Sequence, residues 1–161
     1  MLEIKNITIC YKDRPAVKHF SMTLRQGEIA SFVGESGSGK TTVIRAVMGL
    51  LAGGGRVVEG DILFEGKSLL KNTPAQWRKL RGVDISMVFQ ASGTMLNPIR
   101  KTGNAFVEYI RAHQPISKAE AWQRGIAMLE RMRLPSGGNI MNSYPFQLSG
   151  GMRQRVGIAM A

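Results

Sequence analysis

A single cysteine, Cys10, stands among 161 residues. It cannot close an internal disulfide and lies in no metal-ligand spacing, so neither a disulfide-stapled scaffold nor a cysteine metal centre is expected. Long apolar runs are also absent, and none approaches the ~20 residues that cross a bilayer as a helix. The opening residues, Met1-Leu2-Glu3-Ile4-Lys5-Asn6, lack the basic-then-apolar layout of a secretory leader. A reducing, cytoplasmic setting is the expectation. Acidic residues are scarce, 11 against 22 Lys and Arg, for a formal net charge of +11. Such a balance suits a nucleic-acid or membrane surface when the basic residues cluster. Here they are spread from Lys5 to Arg155 with no run longer than two, and no nucleic-acid partner is expected. The remaining composition, 43% hydrophobic and 20% charged, is that of a globular chain long enough for a buried core.

Residues 2–9 alternate apolar and polar as a half-buried strand does, and 16–24 do so less cleanly. Residues 27–33 form an apolar-rich run that reads as a buried strand leading into a glycine loop. From Lys40 the pattern turns helical, with Val43, Ile44, Val47 and Leu50/Leu51 on one face, and Gly53-Gly54-Gly55 is the expected stop. Residues 57–70 read as a hairpin turning at Glu65-Gly66. A short helix over 74–80 should open with Thr73 as N-cap and Pro74 behind it. Residues 84–89 read as a second buried strand ending at Gln90. Helices are expected over 102–113 and 117–132, the latter with a Ser117/Glu120 capping box. One more helix begins near Arg153. His19 and His113 read as ordinary histidines, the second at a helix end where a cation is favoured.

Gly34-Glu35-Ser36-Gly37-Ser38-Gly39-Lys40-Thr41 is a full match to the phosphate-binding pattern G-x-x-x-x-G-K-[ST]. Three glycines let the backbone turn its amides into a nest, and the helix behind adds about half a positive charge. Lys40 can reach β/γ oxygens, the Thr41 hydroxyl can ligate Mg²⁺, and Thr42 is placed for a further phosphate contact. The plainer alternative is a glycine-rich turn before a helix, but it does not call for strand, full pattern and helix in this order. A second cluster, Leu148-Ser149-Gly150-Gly151-Met152-Arg153-Gln154-Arg155, offers a serine and glycine amides at another helix start. Alone, it reads equally well as a serine N-cap with glycine punctuation.

Taken with the phosphate loop, that second cluster resembles the signature sequence of ABC transporter ATP-binding subunits. The resemblance covers the whole chain. It implies an α/β fold: a P-loop NTPase with a RecA-like core, an antiparallel β subdomain and a helical subdomain. Residues 1–90 would hold the P-loop core and β subdomain, 91–151 the helical subdomain with the signature, and 152–161 the start of the helix after it. Gln90 resembles the glutamine that reaches Mg²⁺ and the attacking water, against the alternative of a surface glutamine ending a strand. Tyr11 lies where the family stacks an aromatic on adenine, or is an ordinary strand-end tyrosine. ATP would bind Tyr11, Gly34, Glu35, Ser36, Gly37, Ser38, Gly39, Lys40, Thr41 and Thr42, with Lys40 and Gln90 catalytic and Thr41 and Gln90 on Mg²⁺. Leu148, Ser149, Gly150, Gly151 and Gln154 would face the ATP of a second subunit.

Met87-Val88-Phe89-Gln90, Leu96-Asn97-Pro98 and Tyr144-Pro145 narrow the resemblance to the peptide/nickel importer branch. That branch often carries Asp-Pro after the glutamine and His before the signature, where this chain has Ala91-Ser92 and Phe146. The implied function is ATP hydrolysis that drives solute import, peptides or nickel, at the cytoplasmic face of a membrane. The implied partners are a second ATP-binding subunit, identical or not, two membrane permeases and, indirectly, an extracytoplasmic solute-binding protein. A soluble ABC protein of DNA repair or translation, or a nucleotide-binding module without turnover, are the alternatives. The family's Asp-Glu strand and switch histidine follow the signature helix, and so would lie beyond Ala161. These residues by themselves are therefore expected to be an incomplete domain, stopping before that strand, and a poor ATPase.

Overall fold

The computed structural model describes residues 1–89 and 96–161, which form two compact units, Met1–Arg81 and Gly82–Ala161. The first is built on a four-stranded antiparallel sheet. Its strands are β1 (Leu2–Tyr11), β2 (Arg14–Leu24), β3 (Gly55–Phe64) and β4 (Lys67–Ser68), in the order β2-β1-β3-β4. The central β1 buries Ile4, Ile7 and Ile9, which strict alternation would not place on one face. Register breaks between Ile4 and Ile7 resolve this, because an inserted residue shifts the phase of the pleat. Asn6 takes a left-handed φ of 48° there, a conformation asparagine tolerates. Opposite it on β3 stands Gly60, at φ 78°. A Cβ at Gly60 would lie 2.2 Å from the Lys5 carbonyl oxygen and 2.4 Å from that of Asn6. β3 and β4 join through Glu65 and Gly66, both at positive φ, as a two-residue turn matched to strand twist requires.

Helix α1 (Lys40–Val47) packs Val43 and Ala46 inward and touches β2 and β3. It ends at Met48, followed by Gly49 at φ 61°, rather than at the Gly53-Gly54-Gly55 run. The reason is non-local. Arg81 donates from Nε to the Met48 carbonyl and from Nη2 to the Gly49 carbonyl, both at 2.9 Å, and its guanidinium lies 4.5 Å from the Trp77 ring centre. A cation there satisfies carbonyls that a helix end leaves free. Arg81 and Trp77 are held by α2 (Pro74–Leu80), whose capping box is complete. Thr73 Oγ1 accepts from the Gln76 amide and Gln76 Oε1 from the Thr73 amide.

The apolar runs at 27–33 and 84–89 do not form strands. Ile29 is 96% exposed and Val33 95%, while Phe32 alone packs, 5.7 Å from the Phe20 ring. A buried parallel strand takes its ladder from neighbours on both sides. Among the described residues no strand pairs with either run, so the apolar pattern is present without its ladder.

The second unit is helical: α3 (Thr102–His113), α4 (Lys118–Arg131), α5 (Gly137–Asn142), a 3₁₀ turn at Pro145–Gln147 and α6 (Gly150–Met160). Phe106, Leu129, Leu134, Ile140, Met141, Leu148 and Val156 make its core. Ser117 caps α4 by accepting from the Glu120 amide at 3.1 Å. The Glu120 carboxylate turns outward to Arg124 instead of back to the cap, so half of the expected capping box forms.

Gly60→Ala is expected to destabilise the protein by about 2 kcal/mol, since the added carbon meets the Lys5 and Asn6 backbone of β1 and the position is left-handed. A lowered urea midpoint checks this. An unchanged midpoint would contradict the bulge geometry.

Candidate functional site

Residues 28–35 run without a ladder into a turn at Ser36-Gly37, closed by the Ser38 amide donating to the Glu35 carbonyl at 3.2 Å. The chain then enters α1 at Lys40. Gly37 and Gly39 stand at φ 86° and 89°, which turns successive amides toward the same side. At Gly39 a second demand coincides with the first. A Cβ there would lie 2.8 Å from Val17 Cγ2 and 3.0 Å from the Ala16 carbonyl oxygen of β2. The loop can approach the sheet this closely only with hydrogen at that position.

The start of α1 has no side-chain cap and no acidic residue in its first turn. Its first amides are thus open to an external anion, and the helix dipole favours one. Lys40 is folded over the loop, its Nζ donating to the Gly34 carbonyl at 2.8 Å, the Glu35 carbonyl at 2.6 Å and Ser38 Oγ at 3.1 Å. An ammonium has three donors, and all three are used to hold the side chain across the loop. Thr41 is exposed and Thr42 half-buried at the helix start. Backbone amides, one fixed cation and an exposed hydroxyl are the kinds of group that bind a phosphate chain.

Tyr11 ends β1, paired with Arg14 of β2 on one side and Gly55 of β3 on the other. That end of the hairpin also carries Ala16 and Val17, which abut Gly39. The first unit therefore brings Tyr11 and residues 34–42 to one end of the same sheet. Gln90 lies outside the described residues.

In the second unit Ser149 is the N-cap of α6. Its Oγ accepts from the Met152 amide at 3.3 Å, and its carbonyl from the Arg153 amide at 2.9 Å. The helix starts at Gly150, not at Arg153, so Gly150 and Gly151 are its first turn, and a Cβ at either would meet open space. Leu148 is buried in the helical core, whereas Ser149, Gly150, Gly151 and Gln154 are exposed. The turn ahead of them holds a stacked pair, Tyr144 and Phe146, with ring centres 5.5 Å apart. Gln147 Oε1 accepts from the Tyr144 amide at 2.8 Å. The sequence offered a signal for this turn in Tyr144-Pro145, since proline is favoured at a first helical position. It offered none for Ala16, Val17 and Gly55 as neighbours of the site, because those contacts are long-range.

The profile of a family described as ABC transporter matches residues 17–161. The oligopeptide transport ATP-binding protein OppD of Escherichia coli (strain K12) is 41% identical over 165 residues, covering 100% of this chain and 49% of OppD. The probable D,D-dipeptide transport ATP-binding protein DdpD of the same strain is 44% identical over 150 residues, covering 92% of this chain and 46% of DdpD. The chain thus spans about half the length of these curated relatives. Among solved structures, the dimeric structure of MJ0796, a bacterial ABC transporter cassette, is similar at a TM-score of 0.82 and 29% identity, covering 99% of this chain and 68% of that one. The post-hydrolysis dimer of MJ0796 bound to ADP and Pi gives 0.80 at 27% identity over 99% of this chain and 68% of that one.

Gly39→Ala is expected to weaken nucleotide binding at least ~10-fold while the protein still unfolds cooperatively, because strain at a left-handed position and the clash with Val17 both fall on the loop. Isothermal titration beside a urea melt reads the two effects apart. Wild-type affinity would contradict the close approach.

Proposed function

The chain belongs to the ABC transporter family, and on that premise we propose that residues 34–42 and Tyr11 hold the ATP that powers a solute importer. The observation that carries this reading is Lys40, held by three hydrogen bonds inside a glycine cradle at the uncapped start of α1. Amides of Gly37 and of Gly39 to Thr42 hold the phosphate chain, Lys40 exchanges its bonds to the loop oxygens for the β/γ oxygens, and Tyr11 covers the adenine. Mg²⁺, when bound, offsets charge on the phosphates, with the exposed Thr41 hydroxyl as one oxygen ligand and Gln90 as a further one. Catalysis here is chiefly positioning and charge stabilisation, and Lys40 and Gln90 are this chain's contributions to it.

The signature acts in a dimer. The exposed Ser149 and the amides of Gly150 and Gly151 face the γ-phosphate held by a second ATP-binding subunit, identical or not, and Gln154 flanks them. Leu148, buried in the helical core, fixes that turn. The dimeric structures of MJ0796 support this arrangement. By the same reading residues 1–90 carry the P-loop core with the antiparallel sheet, 91–151 the helical subdomain that meets two permeases, and 152–161 the helix leading on. No helix among the described residues is long and apolar enough to cross a membrane, which suits a peripheral subunit at the cytoplasmic face. Relatives named for oligopeptide, D,D-dipeptide and glutathione transport favour peptides as the class moved, with a solute-binding protein choosing among them. Residues 1–161 by themselves would hydrolyse ATP poorly, since a positioned general base is worth ~10²–10⁴ in rate.

Lys40→Ala in the full-length protein, produced with its permeases, should weaken ATP binding at least ~10-fold and stop uptake of labelled peptides, while membrane association persists. Unchanged ATP affinity would overturn the proposed site. Weakened ATP binding with undiminished peptide and nickel uptake would overturn the importer role.

A further inference from the structure

We infer that Gly55 is a positioning residue for Tyr11: its bare Cα seats one face of the tyrosine ring and so leaves the other face presented to the nucleotide base. The inference rests on the reading that Tyr11 stacks on adenine, and adds the element that holds it there. β1 and β3 pair Tyr11 with Gly55, the first residue of β3. A Cβ on Gly55 would lie 2.7 Å from Tyr11 Cε1, 3.0 Å from Cζ and 3.2 Å from Cδ1. The two atoms flanking Cε1 are almost as near as Cε1 itself, which is the pattern of an approach to the ring's face rather than its edge. One face is thus covered by strand backbone, and Tyr11 as a whole remains half-buried.

Backbone conformation does not explain the glycine. Gly53 and Gly54, at φ 64° and 78°, occupy the left-handed region, whereas Gly55 is not among the positive-φ glycines. An alanine would fit the backbone at 55, and glycine within a strand costs conformational entropy and loses a packing side chain. The three atoms a side chain would meet first all belong to the tyrosine ring. A methyl group there would push the ring off the strand by several tenths of an ångström, since contacts below 3.0 Å are not sustained. The backbone around 55 would be undisturbed, and the loop at 34–42 is held elsewhere, by Ala16 and Val17 of β2.

The test uses the full-length protein and two probes, Mg–ATP and Mg–tripolyphosphate, which lacks the base. Tyr11→Ala should weaken ATP binding ~10-fold and Tyr11→Phe should largely keep it, as base–aromatic stacking needs only the π-face. Gly55→Ala should weaken ATP binding about threefold or more and leave tripolyphosphate affinity and the urea midpoint unchanged. Adding Gly55→Ala to Tyr11→Ala should have no further effect. If Tyr11→Ala weakens ATP binding but Gly55→Ala does not, the positioning role is overturned and adenine stacking stands. If Tyr11→Ala leaves ATP affinity unchanged, adenine stacking itself is overturned, and the role of Gly55 with it. If Gly55→Ala weakens tripolyphosphate as much as ATP, its effect is on the loop and the inference is also overturned.

Discussion

The close approach of the phosphate loop to β2 at Gly39 constrains most of the first unit. With only hydrogen at that position, the loop sits within van der Waals reach of Ala16 and Val17. The left-handed φ there also turns the chain from the loop into α1. The start of α1, the direction of its first amides and the place of Lys40 all follow from that junction. β2 is in turn held by β1, whose bulge at Asn6 brings Ile4, Ile7 and Ile9 to a common face. The proposed nucleotide site is thus a consequence of sheet packing as much as of the eight-residue motif.

The apolar runs at 27–33 and 84–89 carry the opposite lesson. Each has the composition of a buried parallel strand, yet Ile29 and Val33 are almost fully exposed. Ladder hydrogen bonds belong to pairs of strands, and composition supplies only one member of a pair. Antiparallel β1, β2 and β3 find their partners within 64 residues of chain and form fully. The chain spans about half the length of OppD and DdpD, and paired strands for 27–33 and 84–89 are absent from the described residues.

Local chemistry made much of this legible from sequence. Thr73-Pro74 and Ser117 start their helices where cap preference puts them, and α3 runs over Thr102–His113 as its periodicity implies. The start of α1 at Lys40 behind a glycine turn was legible because its signals lie in consecutive residues. The stop of α1 was not, because Arg81, more than thirty residues away, satisfies its last carbonyls while a glycine triplet nearby offered a plausible decoy. α5 was missed because Gly-Gly-Asn-Ile-Met-Asn is under two turns long and opens on two glycines, and Ser136 before it takes a left-handed φ of 59° and makes no side-chain cap bond. Val17 and Gly55 matter through contacts that no sequence spacing encodes. The placement of Gln90 lies outside the described residues, so its part in the site rests on the family alone.

The most direct measurement is backbone amide hydrogen exchange on the full-length protein, with and without saturating Mg–tripolyphosphate. If the loop amides hold the phosphate chain, exchange should slow ~10-fold or more at residues 37–42 and stay unchanged across α3 (Thr102–His113). Equal rates in the loop with and without bound triphosphate would contradict a phosphate site built on the start of α1.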